Sequence, residues 1–231
     1  MRSPDPDRVR RATCVSLAAG LHLLLQACLL QAASSFPATM ELTEAGIDYS
    51  LALTGESERA VLLFQVYEIA HYYEGDKRED GGESEGAYSS GEAEAEARAE
   101  TLQQRLLPTD VVVDGPAKAI EIRFQRKLSR GRISAEFDKA IRRNAQPDWL
   151  QRARPTIDEF VQAIDRDAEA GDRLVYYWLE GGRLIAEFNG ERFFSVVSED
   201  FARLIWMIWF GDDPVCDREA LLARAAGDGS L

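Results

Sequence analysis

The order of hydrophobic patterns along the chain is the feature that most limits its fold. Strand-like segments stand first and last, and helix-period segments are grouped between them. This order predicts an α+β protein with an antiparallel sheet and helices packed on one face, because parallel strands need a helical crossover after each strand. The predicted strands cover residues 48–53, 119–125, 173–180 and 183–189, and residues 59–73 are predicted as either one long strand or a hairpin pair.

The predicted helices are bounded by proline and glycine signals. They cover residues 92–107, 129–144 and 199–210, and a further helix is expected to begin at Pro155. Pro147 is expected to end the helix before it. Thr54 and Gly55 are expected to end the first strand.

Residues 1–35 have the layout of a secretory signal peptide. Four arginines lie within the first 11 residues, a long apolar stretch follows, and small residues precede cleavage positions after Ala33 or Ser35. We therefore expect a periplasmic or secreted protein with one domain over residues 36–231. Two alternatives stay open. The first is a lipoprotein, because the sequence before Cys28 resembles a lipobox, although the apolar run continues past that cysteine. The second is that the segment is not a cleaved signal and is retained as an anchor.

Charge and residue counts exclude several classes of function. The net charge is −13 at pH 7, and a nucleic-acid binder needs a surplus of basic residues, so no nucleic-acid partner is expected. Beyond the leader, Cys216 is the one cysteine and His71 the one histidine. No internal disulfide, no metal site built on several histidines and no cofactor is therefore expected. His71 lies in a strand-like run and is expected to pack there.

Two charged segments have alternative interpretations. Residues 75–91 are rich in glycine, serine and acids, and predict a flexible acidic insertion that is a solvated loop or binds a partner. Basic residues between Lys127 and Arg143 form a stripe on the predicted helix. The stripe is either a solvated helix face or a surface that attracts anionic lipid.

Three segments carry a family resemblance. The first, 53–73, contains LTG, FQVY and AHYY; the second, 124–144, is a strand followed by a helix that ends in Asn; the third, 200–215, contains DFA and IWFGDDPV. Their order and spacing resemble the chalcone isomerase-like family, and in particular its bacterial exported branch, over roughly residues 40–225. The resemblance implies an open-faced sandwich of one sheet and helices. The insertion at 75–91 is a departure from the family pattern.

The resemblance also implies roles for single residues. In the plant enzymes of this family an arginine binds the phenolate of a chalcone, and threonine, tyrosine and asparagine side chains support cyclisation to a flavanone. Arg59 and Asn144 match the arginine and the asparagine, whereas Tyr67 stands at the threonine position and Phe137 at the tyrosine position. Near Ile208 the enzymes have a hydroxyl residue. Other members hold fatty acids without catalysis, and this sequence resembles those more closely.

The retained arginine has a simple physical role. A guanidinium is a permanent cation that binds a carboxylate with two parallel bonds. Counting by two from Arg59 places Tyr67 on the same strand face, provided that no bulge intervenes. The alternatives are that Arg59 pairs with a nearby surface acid such as Glu58, and that Asn144 only ends a helix.

These residues together predict an exported, non-catalytic protein that binds a small amphipathic anion such as a fatty acid. The expected ligand-binding residues are Arg59, Tyr67, Phe137 and Asn144. The chain is expected to be a monomer, with a peripheral membrane or envelope protein as the further partner class. One alternative is an intramolecular lyase of the chalcone isomerase type, with Arg59 and Asn144 as catalytic residues. The other is a structural or interaction protein of the envelope.

Overall fold

The sheet follows the chain without a crossover. The computed structural model describes residues 36–61, 64–75 and 106–224. Within them seven strands pair in chain order, each antiparallel to the next. The strands are β1 (Thr39–Glu44), β2 (Ile47–Val61), β3 (Phe64–Glu74), β4 (Lys118–Phe124), β5 (Arg173–Leu179), β6 (Arg183–Phe188) and β7 (Glu191–Val197). The predicted antiparallel sheet is confirmed.

Helices cover one face of this sheet. They are α1 (Pro108–Val111), α2 (Arg130–Asn144), α3 (Pro147–Ala163), α4 (Glu199–Phe210) and a short 3-10 helix (Ala220–Leu222). The apolar stripes of α2, α3 and α4 pack with Ile120, Tyr176 and Trp178 of the sheet into one buried cluster. This layering confirms the predicted α+β class with helices on one face.

A salt bridge between the edge strands shows that the sheet curls. Glu44 of β1 accepts a hydrogen bond of 2.7 Å from Arg192 of β7, at the opposite edge. Seven strands laid flat would separate these edges by roughly 29 Å, given about 4.8 Å between neighbouring strands. The sheet is therefore a half-barrel with a concave and a convex side.

The boundary between α2 and α3 differs from the prediction. Ser129 caps α2 by accepting a hydrogen bond from the backbone N–H of Arg132. However, α3 begins at Pro147, so the expectation that Pro155 opens this helix was wrong. Proline is tolerated in the first turn, and Pro147 occupies that position. Pro155 lies inside α3 on its exposed side, where its ring avoids the core.

Gly55 does not end the first strand. β2 continues through it, with a register irregularity between Leu53 and Gly55. A Cβ on Gly55 would lie 2.2 Å from the carbonyl oxygen of Ala220 and 2.5 Å from the carbonyl carbon of Leu221. Because Gly55 has no side chain, the 3-10 helix can lie directly on the strand. The expectation that Gly55 ends the first strand was therefore wrong.

The strand at the centre of the sheet is buried on both sides. Apolar and charged residues alternate in β4, a pattern that predicts a half-buried strand, but the side chain of Glu121 is fully buried on the face away from the helices. Glu121 accepts hydrogen bonds from Arg123 and Arg173 on the same face. Pairing with these two arginines explains how an acidic residue is tolerated in a buried position. In β4 one face therefore carries apolar residues and the other carries paired charged residues, and neither face is open to solvent.

Parts of the sequence prediction lie outside the described residues. They are the leader, the insertion beyond Gly75 and the predicted helix at 92–107 up to residue 105. Among the helices in the described part of the chain, none has both the length and the apolar character needed to cross a bilayer.

Candidate functional site

A cleft lies between the sheet and the helices α2 and α4. Its volume is about 400 Å³. The apolar part of its wall comes from β3, β4, the loop between β4 and α2, the helices α2 and α4, and the segment after α4. The residues that form this part are Val66, Tyr67, Ile122, Phe124, Leu128, Ile133, Phe137, Ala140, Ile208, Trp209 and Val215.

The elements place these side chains in the cleft for simple reasons. In β4, Ile122 and Phe124 alternate with residues of the opposite face, so both point to the helices. In α2, Ile133 and Phe137 are four residues apart and share one side of the helix. The floor of the cleft is therefore made of the same residues that hold the sheet and the helices together.

Arg59 lies at the mouth of the cleft. Arg59 on β2 pairs directly with Tyr67 on β3, so the two residues lie side by side on neighbouring strands and not along one strand. The register of this strand pair shifts just after Arg59. Its Nη1 donates a hydrogen bond of 3.2 Å to the carbonyl of Val215, and its Nη2 lies 3.6 Å from the Glu136 carboxylate. The side chain is 22% exposed. The guanidinium thus borders both solvent and the apolar floor.

Tyr67 forms the polar point of the inner wall. Its hydroxyl accepts a hydrogen bond of 3.3 Å from the indole N–H of Trp209. Burial raises the pKa of Tyr67 well above its usual value. The phenol therefore stays protonated and is positioned to donate a hydrogen bond.

Of the other residues singled out in the sequence, Phe137 and Ile208 line the cleft. Asn144 does not. Its amide donates to the carbonyl of Asp213 and accepts from the N–H of the same residue, at 2.9 and 2.7 Å. The structure thus brings Arg59, Tyr67 and Phe137 together, whereas Asn144 ties the end of α2 to the loop after α4.

The rim of the cleft is charged. Lys127 and Arg132 are both 63% exposed there, and Arg126 also lines the rim. Glu136 is the one acidic side chain among the described lining residues, and it lies within 3.7 Å of Arg132 as well as near Arg59. Glu136 was not among the site residues predicted from the sequence. Its spacing of four residues from Arg132 was visible, but that spacing does not tell which way the helix face points.

Acids balance much of the predicted basic stripe. Arg142 forms a two-bond pair with Asp138 at 2.8 and 2.9 Å. Arg143 pairs with Asp213, and Lys127 pairs with Glu169. These contacts favour the interpretation of the stripe as a solvated helix face.

His71 packs inside the sheet region. Its Nδ1 lies 2.7 Å from the hydroxyl of Thr54, and Phe210 contacts the ring edge-to-face. Burial, with a smaller contribution from the Lys118 charge, lowers the pKa of His71 to about 3. The imidazole is therefore neutral at physiological pH, and it does not line the cleft.

Cys216 and the acidic residues offer no metal site in the described part of the chain. No group of three or more histidine, cysteine, aspartate or glutamate side chains is placed there to hold an ion. Burial raises the pKa of Cys216 to about 12, so the thiol is protonated and a poor nucleophile.

Fold and site together define a class: a curled antiparallel sheet whose helical layer encloses an apolar cleft with an arginine at its mouth. The family model described as chalcone isomerase-like matches residues 101–222, which is more than half of the chain. The chain belongs to the chalcone isomerase-like family, as the sequence resemblance implied.

The comparison with solved structures agrees with this fold. The crystal structure of an Arabidopsis thaliana fatty-acid binding protein, AtFAP1, matches with a TM-score of 0.51 at 14% identity, over 81% of this chain and 98% of that chain. No curated protein matches this chain in sequence.

Proposed function

We propose that this chain is an exported, non-catalytic lipid-binding protein whose ligand is a small amphipathic anion such as a fatty acid. The observation that carries the proposal is the cleft of about 400 Å³ with an apolar floor and Arg59 at its mouth. Small-molecule sites have volumes of roughly 300–1,000 Å³ and a few placed polar groups. The structural neighbour named as a fatty-acid binding protein supports the same ligand class.

The head of the ligand would bind at Arg59. A guanidinium has five N–H donors, and the contacts to Val215 and Glu136 engage part of that set. A carboxylate there can displace Glu136 and also accept a hydrogen bond from Tyr67. The basic residues of the rim add a favourable potential for an anion that approaches from solvent.

The tail would lie against the apolar floor. Each methylene that leaves water gains about 0.8 kcal/mol. Binding also orders the acyl chain and removes its free motion, which costs free energy. We therefore expect the affinity to rise with the length of the acyl chain only until the cleft is full. A series from octanoate through laurate to palmitate should therefore show a length optimum.

The same residues argue against isomerase chemistry. Phe137 and Ile208 stand in the cleft where the resemblance places hydroxyl side chains in the enzymes. Without those groups no network is available to position a water or a phenolate oxygen at these two points. A chalcone turnover assay tests this, and turnover above background that is lost in Arg59→Gln would replace the proposal by the lyase alternative.

Native mass spectrometry tests the binding itself. The purified full-length chain is incubated with laurate, and retained acyl chains are counted for the wild type and Arg59→Gln. Arg142→Gln is the matched control, because Arg142 lies on α2 outside the lining of the cleft and pairs with Asp138. We expect retention by the wild type and the control, and strong loss in Arg59→Gln. Equal and negligible retention by all three proteins would end the proposal.

Export is tested separately. In a bacterial host, N-terminal sequencing of the protein from the periplasm should find a new N-terminus after Ala33 or Ser35. An uncleaved chain in the cytoplasm would contradict export but not lipid binding. A monomer in solution is the expected state, and light scattering on the same sample measures it.

A further inference from the structure

Arg59 is held at the mouth of the cleft by the loop that follows α4. Its Nη1 donates a hydrogen bond of 3.2 Å to the carbonyl of Val215, whereas the Glu136 carboxylate, at 3.6 Å, lies beyond ordinary hydrogen-bond distance. Val215 belongs to the segment between α4 and the 3-10 helix. The position of this loop therefore decides where the guanidinium points.

Asn144, the last residue of α2, fixes the backbone of the same loop. Its Oδ1 accepts a hydrogen bond of 2.7 Å from the N–H of Asp213, and its Nδ2 donates one of 2.9 Å to the carbonyl of Asp213. Only Pro214 separates Asp213 from Val215, and the proline ring leaves φ at that position little freedom. A displacement of Asp213 is therefore passed on to the carbonyl that binds Arg59.

Gly211 makes room for the Asn144 amide. It caps α4 by donating its backbone N–H to Met207. A Cβ on Gly211 would lie 2.6 Å from the Asn144 Oδ1 and 2.6 Å from the Met207 carbonyl oxygen. Its φ of −71° is open to every residue type, so the backbone conformation does not require glycine here. The missing side chain therefore serves the close approach of Asn144 to the loop.

We propose that Asn144 is a positioning residue of the ligand site, which holds the loop after α4 so that the Val215 carbonyl keeps Arg59 directed at the anionic head. The inference rests on the proposed function and adds to it a residue outside the lining of the cleft. Ordering a long side chain during binding costs affinity, and a guanidinium that is already held in place avoids part of that cost.

The test compares laurate with dodecanol, which has a tail of the same length and no charge. Affinities are measured by displacement of a fluorescent fatty acid from the full-length chain, at a temperature where circular dichroism shows every variant to be folded. Asn144→Ala removes the amide, and Gly211→Ala displaces it by a second route. Asn189→Ala is the matched control. Its amide also joins two parts of the backbone, at Arg173 and Asp172, and it lies outside the lining of the cleft.

We expect Asn144→Ala to lower the affinity for laurate roughly three- to fivefold, the cost of ordering one long side chain, and to change that for dodecanol less than about twofold. Gly211→Ala should shift the ratio of the two affinities in the same direction, and Asn189→Ala should leave the ratio unchanged. Added to Arg59→Gln, Asn144→Ala should cause no further loss of laurate affinity, because the two residues act in series.

Several outcomes would overturn the inference while leaving the proposed function intact. An unchanged ratio in Asn144→Ala would mean that the loop does not direct Arg59. Equal losses for laurate and dodecanol would give Asn144 a purely structural role in the shape of the cleft. A further loss of laurate affinity in the double variant would show that Asn144 acts independently of Arg59. No binding of laurate by the wild type would instead remove the proposed function itself.

Discussion

The Arg59 guanidinium lies 3.6 Å from the Glu136 carboxylate at the mouth of the cleft. Glu136 thus stands where the anionic head of a ligand would have to bind. Its side chain is 45% exposed and comes from α2, so it can swing into solvent without disturbing the core. An entering carboxylate therefore competes with an internal carboxylate for the same cation.

Removing that competition should strengthen binding. Glu136→Gln is expected to raise the affinity for laurate by up to about fivefold, because an exposed ion pair contributes roughly 0.2–1 kcal/mol. Asp138→Asn is the control, since Asp138 is on the same helix but pairs with Arg142. Calorimetric titration measures both. Weaker binding in Glu136→Gln would mean that Glu136 helps to hold the ligand.

Filling the cleft should abolish binding. Ala140 lines the cleft, whereas Ala135 is exposed on the same helix. Ala140→Phe places a ring in the space intended for the tail, and we expect at least a tenfold loss of laurate affinity with little change in helix content. Ala135→Phe makes the same substitution outside the cleft and should bind as the wild type does. Comparable binding by the two variants would locate the ligand elsewhere.

Acid should destabilise the fold through His71. Its pKa is about 3 in the folded chain, against 6.5 for an ordinary histidine, chiefly because of burial. Between these values the unfolded chain binds more protons than the folded one, so the free energy of unfolding falls as pH falls. The slope is roughly 1.4 kcal/mol per pH unit below about pH 6.

His71→Gln isolates this contribution. Urea unfolding at pH 7, 6 and 5 should show a shallower loss of stability in His71→Gln than in the wild type. Carboxylates that titrate in this range affect both proteins equally and cancel in the difference. Parallel pH profiles would mean that His71 is protonated in the folded chain as readily as in the unfolded one.

The glycine under the 3-10 helix should not tolerate a side chain. In Gly55→Ala the new Cβ would overlap the backbone of Ala220 and Leu221, and we expect a loss of about 2 kcal/mol or more in the free energy of unfolding. Gly131→Ala, in the first turn of α2, meets nothing within 4 Å and should be neutral or stabilising by up to about 1 kcal/mol. Equal stability of the two variants would show that the close approach is absent in solution.

Helices and strands with a clear hydrophobic period could be predicted from the sequence. Features that depend on which way a residue faces in the folded chain could not. The face of α2 that carries Ile133 and Phe137 followed from helix spacing, because residues four apart lie on one side of a helix. The start of α3 did not follow, because Pro147 and Pro155 are both compatible with a first turn, and only packing shows that Pro155 faces solvent. Gly55 carries a turn signal, but its role depends on a segment more than 160 residues away.

The site was predictable in part. Arg59, Tyr67 and Phe137 came from the resemblance, and all three line the cleft. Their geometry did not follow from counting along one strand, since Arg59 and Tyr67 are partners on adjacent strands. Asn144 ends α2 as its position suggests, yet the rotation of the helix end turns its amide to Asp213. That the cleft is open could not be predicted from the sequence, because it depends on how closely distant side chains approach one another.

The most direct test of the central claim is to mark where an acyl tail lies. Laurate with a diazirine at its terminal carbon is bound to the full-length chain, activated by light, and the labelled residues are found by peptide mass spectrometry. We expect labels on Ile133, Phe137 and Ile208, and excess laurate should suppress them. Labels confined to the opposite face of the sheet, around Leu51 and Tyr177, or scattered over the surface, would contradict it.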